Sequence, residues 1–214
     1  MKKSFAVFGL GRFGTSVANA LMSQGAQVLA VDSNPDVIRK ISSQVTCAVS
    51  INVCDSEAVK EVGLDNIDAV IVAMGESLAA SVMTIMTAKE LGVPFVMAKA
   101  DSDETAKIFL KVGADKVVFP EKDAGILAAR KLLYDNFIEY FEIERNLGVA
   151  EIMVRPEWAG KSIKELDLRK NYKINVIAVK NGNQLASEVN PDEILQPDSR
   201  LIIMVSDSSM KKLK

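Results

Sequence analysis

Histidine is missing from the sequence, which removes the side chain that most often moves protons near neutral pH. Cysteine is almost as scarce. Cys47 and Cys54 cannot build a four-ligand zinc site and read as reduced thiols of a cytosolic protein. Neither sign of charge dominates. Lys plus Arg number 26 and Asp plus Glu 28, a net charge of −2, so no broad basic field is implied and no nucleic-acid partner is expected. The longest run without a charged residue, 13–31, carries Thr15, Ser16, Asn19, Gln24 and two glycines and would make a poor membrane span. Met1-Lys2-Lys3 followed by a strand lacks the long apolar core and cleavage site of a signal peptide. These absences point to a soluble cytoplasmic protein. What is present suffices for a core: 214 residues, 49% of them hydrophobic, suit one medium domain plus a small one.

Residues 4–34 organise the chain. An apolar run over 5–8 reads as a buried strand, and Gly9, Gly11 and Gly14 follow at once in the spacing G-x-G-x-x-G. The pattern then turns helical, with Val17, Ala18, Leu21 and Met22 on one stripe, and Gly25 closes the helix. A second strand over 28–31 ends at Asp32, about 20 residues beyond the glycines. In this order the pieces make half of a Rossmann fold. Gly9 permits the tight turn, Gly11 lets the backbone approach a phosphate, and Gly14 lets helix and strand pack closely. The helix start favours an anion, and Asp32 can accept from ribose hydroxyls while disfavouring a 2′-phosphate. An adenosine nucleotide is the expected ligand; a Rossmann domain with a vestigial crevice is the plainer alternative.

Further strands are predicted over 46–51, 69–73, 93–98 and 116–119, with helices over 35–42, 56–62, 78–91 and 122–135. Such alternation gives a doubly wound, mostly parallel sheet, an α/β Rossmann-like domain over 1–135. Ligands of these sheets lie beyond the strand carboxyl ends, so residues 9–14, Asp32, Asn52, Ala73, Met74, Gly75 and Lys99 should converge on one crevice. The helix over 78–91 has almost no polar face and needs cover on two sides. Another subunit is the simplest second cover, and a C-terminal segment the alternative. Residues 136–148, aromatic at 137–143, read as a crossover linker. Residues 149–214 then read as a small α+β domain. It shows an alternating strand from 149, a Ser162-x-x-Glu165 capping box, a strand over 174–179, an Asn181-Gly182 turn and a strand over 201–205. Alone it would be marginal, and dimerisation is expected to stabilise it.

In sequence order these pieces resemble the regulator-of-K⁺-conductance (RCK) family, the cytosolic nucleotide-binding subunits of Ktr- and Trk-type potassium transporters. FAVFGLGRFG, VLAVDSN, the Ala73-Met74-Gly75 strand end, GADKVVFPEKDAG and the small C-terminal module follow the family's order over nearly the whole chain. Arg12 and Pro120-Glu121-Lys122-Asp123 make the Ktr type the nearer match. The resemblance implies homodimers assembled into a ring, an octamer, under a membrane potassium channel or transporter subunit. The chain would then lie peripheral to the inner face of the plasma membrane. It implies ATP for the conducting state and ADP for the closed one, with NAD(H) in Trk-type relatives. By position, Gly9, Leu10, Gly11, Arg12, Phe13 and Gly14 form the phosphate loop. Asp32 and Ser33 hold the ribose, Asn52 and Val53 lie by the adenine, and Ala73, Met74, Gly75 and Lys99 line the remainder. Many relatives have Asp where Asn52 stands. Glu121 is implied as a ligand for Mg²⁺ or Ca²⁺ beside the nucleotide. One carboxylate cannot make such a site, so nucleotide oxygens or a second subunit must share it. In the C-terminal domain Arg169, Asn175, Val176, Ile177 and Ala178 are implied as contacts for cyclic di-adenosine monophosphate (cyclic di-AMP).

Plainer readings stand beside these. Arg12 can bind terminal phosphate oxygens, including those of a neighbouring subunit's nucleotide, or be a solvated arginine. Glu121 is equally a helix N-terminal acid favoured by the dipole, and Ile177 with its neighbours is equally core strand. A small NAD-dependent oxidoreductase would show the same glycines and Asp32. Yet no nucleophile–base pair can be named, and none of Tyr134, Tyr140 and Tyr172 is followed four residues on by lysine. A redox-sensing repressor would need a helix-turn-helix and a basic face, and neither is found. The expectation is a gating protein rather than an enzyme.

Overall fold

The apolar runs become strands and the amphipathic segments between them helices. In chain order these are β1 (Ser4–Phe8), α1 (Arg12–Ser23), β2 (Gln27–Asp32), α2 (Pro35–Ile41), β3 (Cys47–Ser50) and α3 (Ser56–Glu61). β4 (Ala69–Val72), α4 (Leu78–Glu90), β5 (Phe95–Lys99), α5 (Asp103–Lys111), β6 (Lys116–Val118) and α6 (Pro120–Leu133) follow. The structure is a computed structural model and describes residues 2–75, 77–134, 136–144, 146–182 and 184–213. All six strands run parallel in the order β3-β2-β1-β4-β5-β6, so the winding reverses between β1 and β4.

Alternation along the strands feeds two cores. β1 sends Ala6 and Phe8 to one face and Val7 to the other, while β4 sends Val70 and Val72 to one and Ile71 to the other. Ala18 and Ile41 of α1 and α2 cover the Val7 face. Val59, Ile85 and Phe109 of α3, α4 and α5 cover the opposite face. Full burial of side chains such as Phe8 and Ile85 contributes about 1.5–3 kcal/mol each. Asn34, Asp55, Ser77 and Ser102 cap α2, α3, α4 and α5 through their side chains. The α5 helix is absent from the sequence reading, although Ser102 at its N-cap and buried Ala106 and Phe109 mark it.

α4 is apolar on the outside and partly polar on the inside. Ser81, Thr84 and Thr87 are buried, while Leu78, Met83 and Met86 are 48, 37 and 41% exposed. Ser81 Oγ donates to the Met74 carbonyl at 2.9 Å. The expected need for a second cover falls on the methionine side.

The second unit is an antiparallel sheet ordered β10-β9-β11-β8-β7. Its strands are β7 (Phe137–Glu144), β8 (Leu147–Met153), β9 (Asn175–Asn181), β10 (Gln184–Ala186) and β11 (Arg200–Ser206). Two short helices, α7 (Ile163–Leu166) and α8 (Leu168–Asn171), join β8 to β9. Trp158, 1% exposed, anchors the core and meets the Tyr172 ring edge-on at 5.2 Å. The expected capping box is formed: Ser162 Oγ accepts from Glu165 N–H at 3.2 Å and Glu165 Oε2 from Ser162 N–H at 2.7 Å. The Ser162 N–H holds the Glu165 carboxyl below its ordinary pKa.

The expected division does not match the structure. Compact units span Met1–Lys122 and Asp123–Lys214, so the break falls inside α6 rather than at 135/136. Residue 135, the expected helix end, lies outside the described residues. The cause is where α6 sends its side chains. Leu127 packs on the second core, and the Arg130 guanidinium lies 3.6 Å from the Tyr140 ring centroid and 3.1 Å from Asp207. Nor do 136–148 form a linker: β7 pairs with β8. The aromatic, half-alternating run suits a strand, Asn146 turns at φ 66°, and the Tyr140 ring packs where a Cβ on Gly148 would stand.

Candidate functional site

The carboxyl ends of six parallel strands lie along one edge of the first sheet, and the crevice is built there. Gly9 leaves β1 at φ 88°, a region that glycine enters at little steric cost. A Cβ on Gly9 would stand 2.7 Å from Met74 Cγ. One on Gly14 would strike the Gly9 carbonyl oxygen and lie 3.3 Å from Ala73 Cβ. Gly14 therefore lets α1 close on the β1–β4 seam. Gly11 differs: a Cβ there would meet no described atom within 4 Å, and Gly11 caps α1 without a side-chain hydrogen bond. The first N–H groups of α1 are left for water or an anion. Arg12, exposed, is the first residue of α1, and half-buried Phe13 packs beneath the loop.

Asp32 braces this loop. Its Oδ2 accepts from Leu10 N–H at 2.7 Å and its Oδ1 from Asn34 N–H at 2.8 Å. A carboxylate has about four acceptor positions, so capacity remains for a ribose diol. Thr15 Oγ1, a residue the sequence reading passed over, donates to the Leu10 carbonyl at 2.8 Å and holds the loop from the helix side. Ile51 N–H donates to the Asp32 carbonyl at 3.1 Å, and Ser50 Oγ to the Ser33 carbonyl at 3.4 Å, bringing the end of β3 alongside. Asn52 is exposed, with Oδ1 accepting from Cys54 N–H at 3.1 Å. Val53 is 8% exposed and belongs to the core, so Asn52 is the side chain of this pair that a ligand can reach.

Across the seam, Ala73 N–H donates to the Phe8 carbonyl at 2.7 Å; Met74 and exposed Gly75 continue toward Lys99. Lys99 Nζ reaches Glu121 Oε1 at 2.5 Å. That hydrogen bond, and then Glu121's own backbone N–H, hold the Glu121 carboxyl below its ordinary pKa. Asp101 and Thr105, also passed over, line a cavity of about 200 Å³ with Met74, Gly75 and Lys99. Their signal was the Ser102-x-x-Thr105 helix start.

The residues fit the nucleotide: a glycine loop, an uncapped helix start and a braced acid face one edge. They do not fit a divalent cation within one chain. No group of three potential metal-ligating side chains exists among the described residues, and Glu121 is already paired with Lys99.

In the second unit Arg169 Nε donates to Asn175 Oδ1 at 2.8 Å, and Ile177 is 39% exposed. Val176 is half-buried and Ala178, at 5%, faces the interior, so Arg169, Asn175 and Ile177 are the members of that set at the surface. Among the described residues, no helix is long and apolar enough to cross a membrane.

A strand-end glycine loop, an open helix start and a terminal acid at a winding reversal define a Rossmann-type nucleotide-binding fold. Residues 5–120 match the TrkA-N domain and 149–214 the TrkA-C domain. Over 214 residues the chain is 35% identical to Ktr system potassium uptake protein C of Bacillus subtilis (strain 168), covering 100% of this chain and 97% of that protein. It is 35% identical over 213 residues to Ktr system potassium uptake protein A of Vibrio alginolyticus, covering 99 and 97%. Its fold is like that of the GsuK RCK domain at a TM-score of 0.67 and 18% identity, covering 100% of this chain and 47% of that one. The chain belongs to the Ktr/Trk potassium-uptake family of paired TrkA-N and TrkA-C domains.

Proposed function

We propose that the chain is the nucleotide-sensing regulatory subunit of a Ktr-type potassium uptake system. Exchange of ATP and ADP at the strand-end crevice changes the conformation of a ring of copies, an octamer built from dimers, on the cytoplasmic face of a membrane potassium transporter subunit. The role is gating, without catalysis. Full-length likeness to Ktr uptake proteins carries this reading. The crevice supports it with the 9–14 loop for phosphates, Asp32 and Ser33 for ribose, Asn52 for adenine and Lys99 on the far side. The exposed Leu78, Met83 and Met86 on α4 supply an apolar face for assembly. NAD(H) is the alternative ligand, since its ribose offers Asp32 the same diol. In the second unit, the Arg169 and Asn175 surface is assigned to cyclic di-AMP. A Mg²⁺ or Ca²⁺ ion at Glu121 would need ligands from nucleotide oxygens or a second copy.

A ligand shifts a two-state ring only by its differential affinity for the two states, and coupled sites multiply that bias. ATP differs from ADP by one charged phosphoryl group, and Arg12 is exposed at the loop to sense it. The test is K⁺ flux into vesicles holding the cognate channel, with this protein and each nucleotide added. Flux is expected to be higher with ATP than with ADP. Identical flux with ATP, with ADP and without the protein would falsify the gating role.

A further inference from the structure

Met83, Met86 and Met153 are the exposed methionines among the described residues, and two of them share one helix face. Met83 and Met86 are 37 and 41% exposed, and their spacing makes them neighbours on the outer side of α4. Ile85 and Ala88 of the same helix turn the other way and are fully buried. A chemical change at the two thioethers therefore falls outside the chain's own core. Met153 is 41% exposed at the end of β8, in the second unit. From Leu78 to Ala88 the α4 helix carries no charged residue. Two copies can meet along this face with no like charges opposed, whereas a partner chosen by charge would find nothing there to read.

We propose that Met83 and Met86 form an oxidation site through which a hydroperoxide controls self-assembly, by making the outer face of α4 polar so that a second copy no longer docks on it. The proposal rests on the assembly reading above. At each residue the sulfur lone pair attacks a peroxide oxygen; the O–O bond breaks, an S–O bond forms and, with hydrogen peroxide, water leaves. Sulfur loses two electrons and the peroxide gains them, so no further reactant is needed. A methionine is a soft apolar filler, and its sulfoxide is polar and chiral. Burying the new oxygen without a donor to meet it is unfavourable, and the adjoining Ala79 and Val82 side chains on this face carry no donor. A covered methionine is shielded, so peroxide acts on copies that have come apart and holds them apart. Enzymatic reduction of the sulfoxide reverses the change.

The test treats the full chain with hydrogen peroxide above and below the concentration at which it self-associates. Dithiothreitol then clears reversible oxidation of the exposed Cys47 and Cys54 and leaves sulfoxides in place. Peptide mass spectrometry is expected to find one added oxygen on Met83 and on Met86 in dilute protein, and little on either in assembled protein. Met153, exposed to a similar degree, sets the rate of an open methionine in the dilute sample. By light scattering the oxidised protein should self-associate at least about tenfold more weakly, with unchanged circular dichroism. Methionine sulfoxide reductases should restore it. The double variant Met83→Leu/Met86→Leu, which conserves volume, should assemble and remain assembled after peroxide. Sulfoxides at both positions with self-association equal to the untreated parent overturn the proposal, as does an equal loss of assembly in the double variant. So does much slower oxidation of Met83 and Met86 than of Met153 in dilute protein. An assembly that stays intact at every dilution and shields both residues overturns the control by peroxide and leaves the α4 interface standing. A parent that self-associates at no concentration overturns the interface and the oxidation site together.

Discussion

The two units put their candidate sites in different kinds of place. In the first, every proposed contact sits where a parallel strand ends, so the regular geometry of the sheet gathers groups that are far apart in sequence. In the second, the proposed contacts run from a four-residue helix into the middle of a paired strand, and alternation sends Ala178 inward while Ile177 faces out. A parallel sheet makes a site as a by-product of its topology. An antiparallel one offers a surface whose members must each be exposed on their own account. The units also share no core: the first has one on each face of its sheet, around Phe8 and Ile85 and around Val7, and the second has one around Trp158.

The sharpest break of this comparison is Trp158→Ala. Truncating a side chain that is 1% exposed should cost about 3–5 kcal/mol in the second unit. Urea unfolding should then show an early transition, while ADP binding survives; loss of ADP binding at low urea would show that the units do not stand apart. Gly14→Ala is the converse. Its Cβ meets the Gly9 carbonyl, so about 2–3 kcal/mol should be lost from the first unit together with nucleotide binding. Gly11→Asp, with open space around it, should abolish binding with little change in the unfolding midpoint. Equal midpoints for Gly14→Ala and the parent would refute the packing role.

Asp115 gives a smaller effect, confined to the first unit. Its carboxylate accepts from Val96 N–H at 2.7 Å and from Lys89 Nζ at 3.0 Å. Partial burial pushes its pKa up, but the Val96 N–H and Lys89 outweigh that and leave it lowered. A lowered folded pKa means stability that is complete above the unfolded value, near about 4, and lost as pH falls through the folded value. Asp115→Ala should cost about 1–2 kcal/mol at neutral pH by orphaning the Val96 N–H. The variant should also lose less than the parent between neutral pH and pH 3 in urea titrations. Smallest of all is Met86→Glu, on the outer face of α4, which should change chain stability by less than about 0.5 kcal/mol. Light scattering should nonetheless find the assembly loosened; a particle mass equal to the parent's would remove α4 from the interface.

The first unit was the more legible in sequence for the same reason that its site forms there. Buried parallel strands read as apolar runs, and each run ended at a residue worth naming: Gly9, Asp32, Asn52, Ala73, Lys99. Pairings across the crevice were not legible. Nothing in the spacing of Lys99 and Glu121 says that they meet, because β6 and the turn after it decide that. Burial direction on α4 was missed too. Composition showed a helix without a polar face, yet Ser81, Thr84 and Thr87 turn inward because small side chains let the helix sit close to its neighbours. β7 was misread because its glutamates and register shifts blur a period of two. Short α5 was passed over, although its cap residue Ser102 was in view.

The brace between Asp32 and the glycine loop has a kinetic meaning. Ordering a loop costs about 1–2 kcal/mol per residue, and here the Leu10 and Asn34 N–H groups already meet that cost within the folded chain. An arriving nucleotide has no loop to shape, so encounter should be quick and little altered by temperature-dependent ordering. Replacement of one nucleotide by another then waits on departure of the first. The residence time of the outgoing ligand, set by the phosphate contacts it must give up, becomes the clock of the proposed ring.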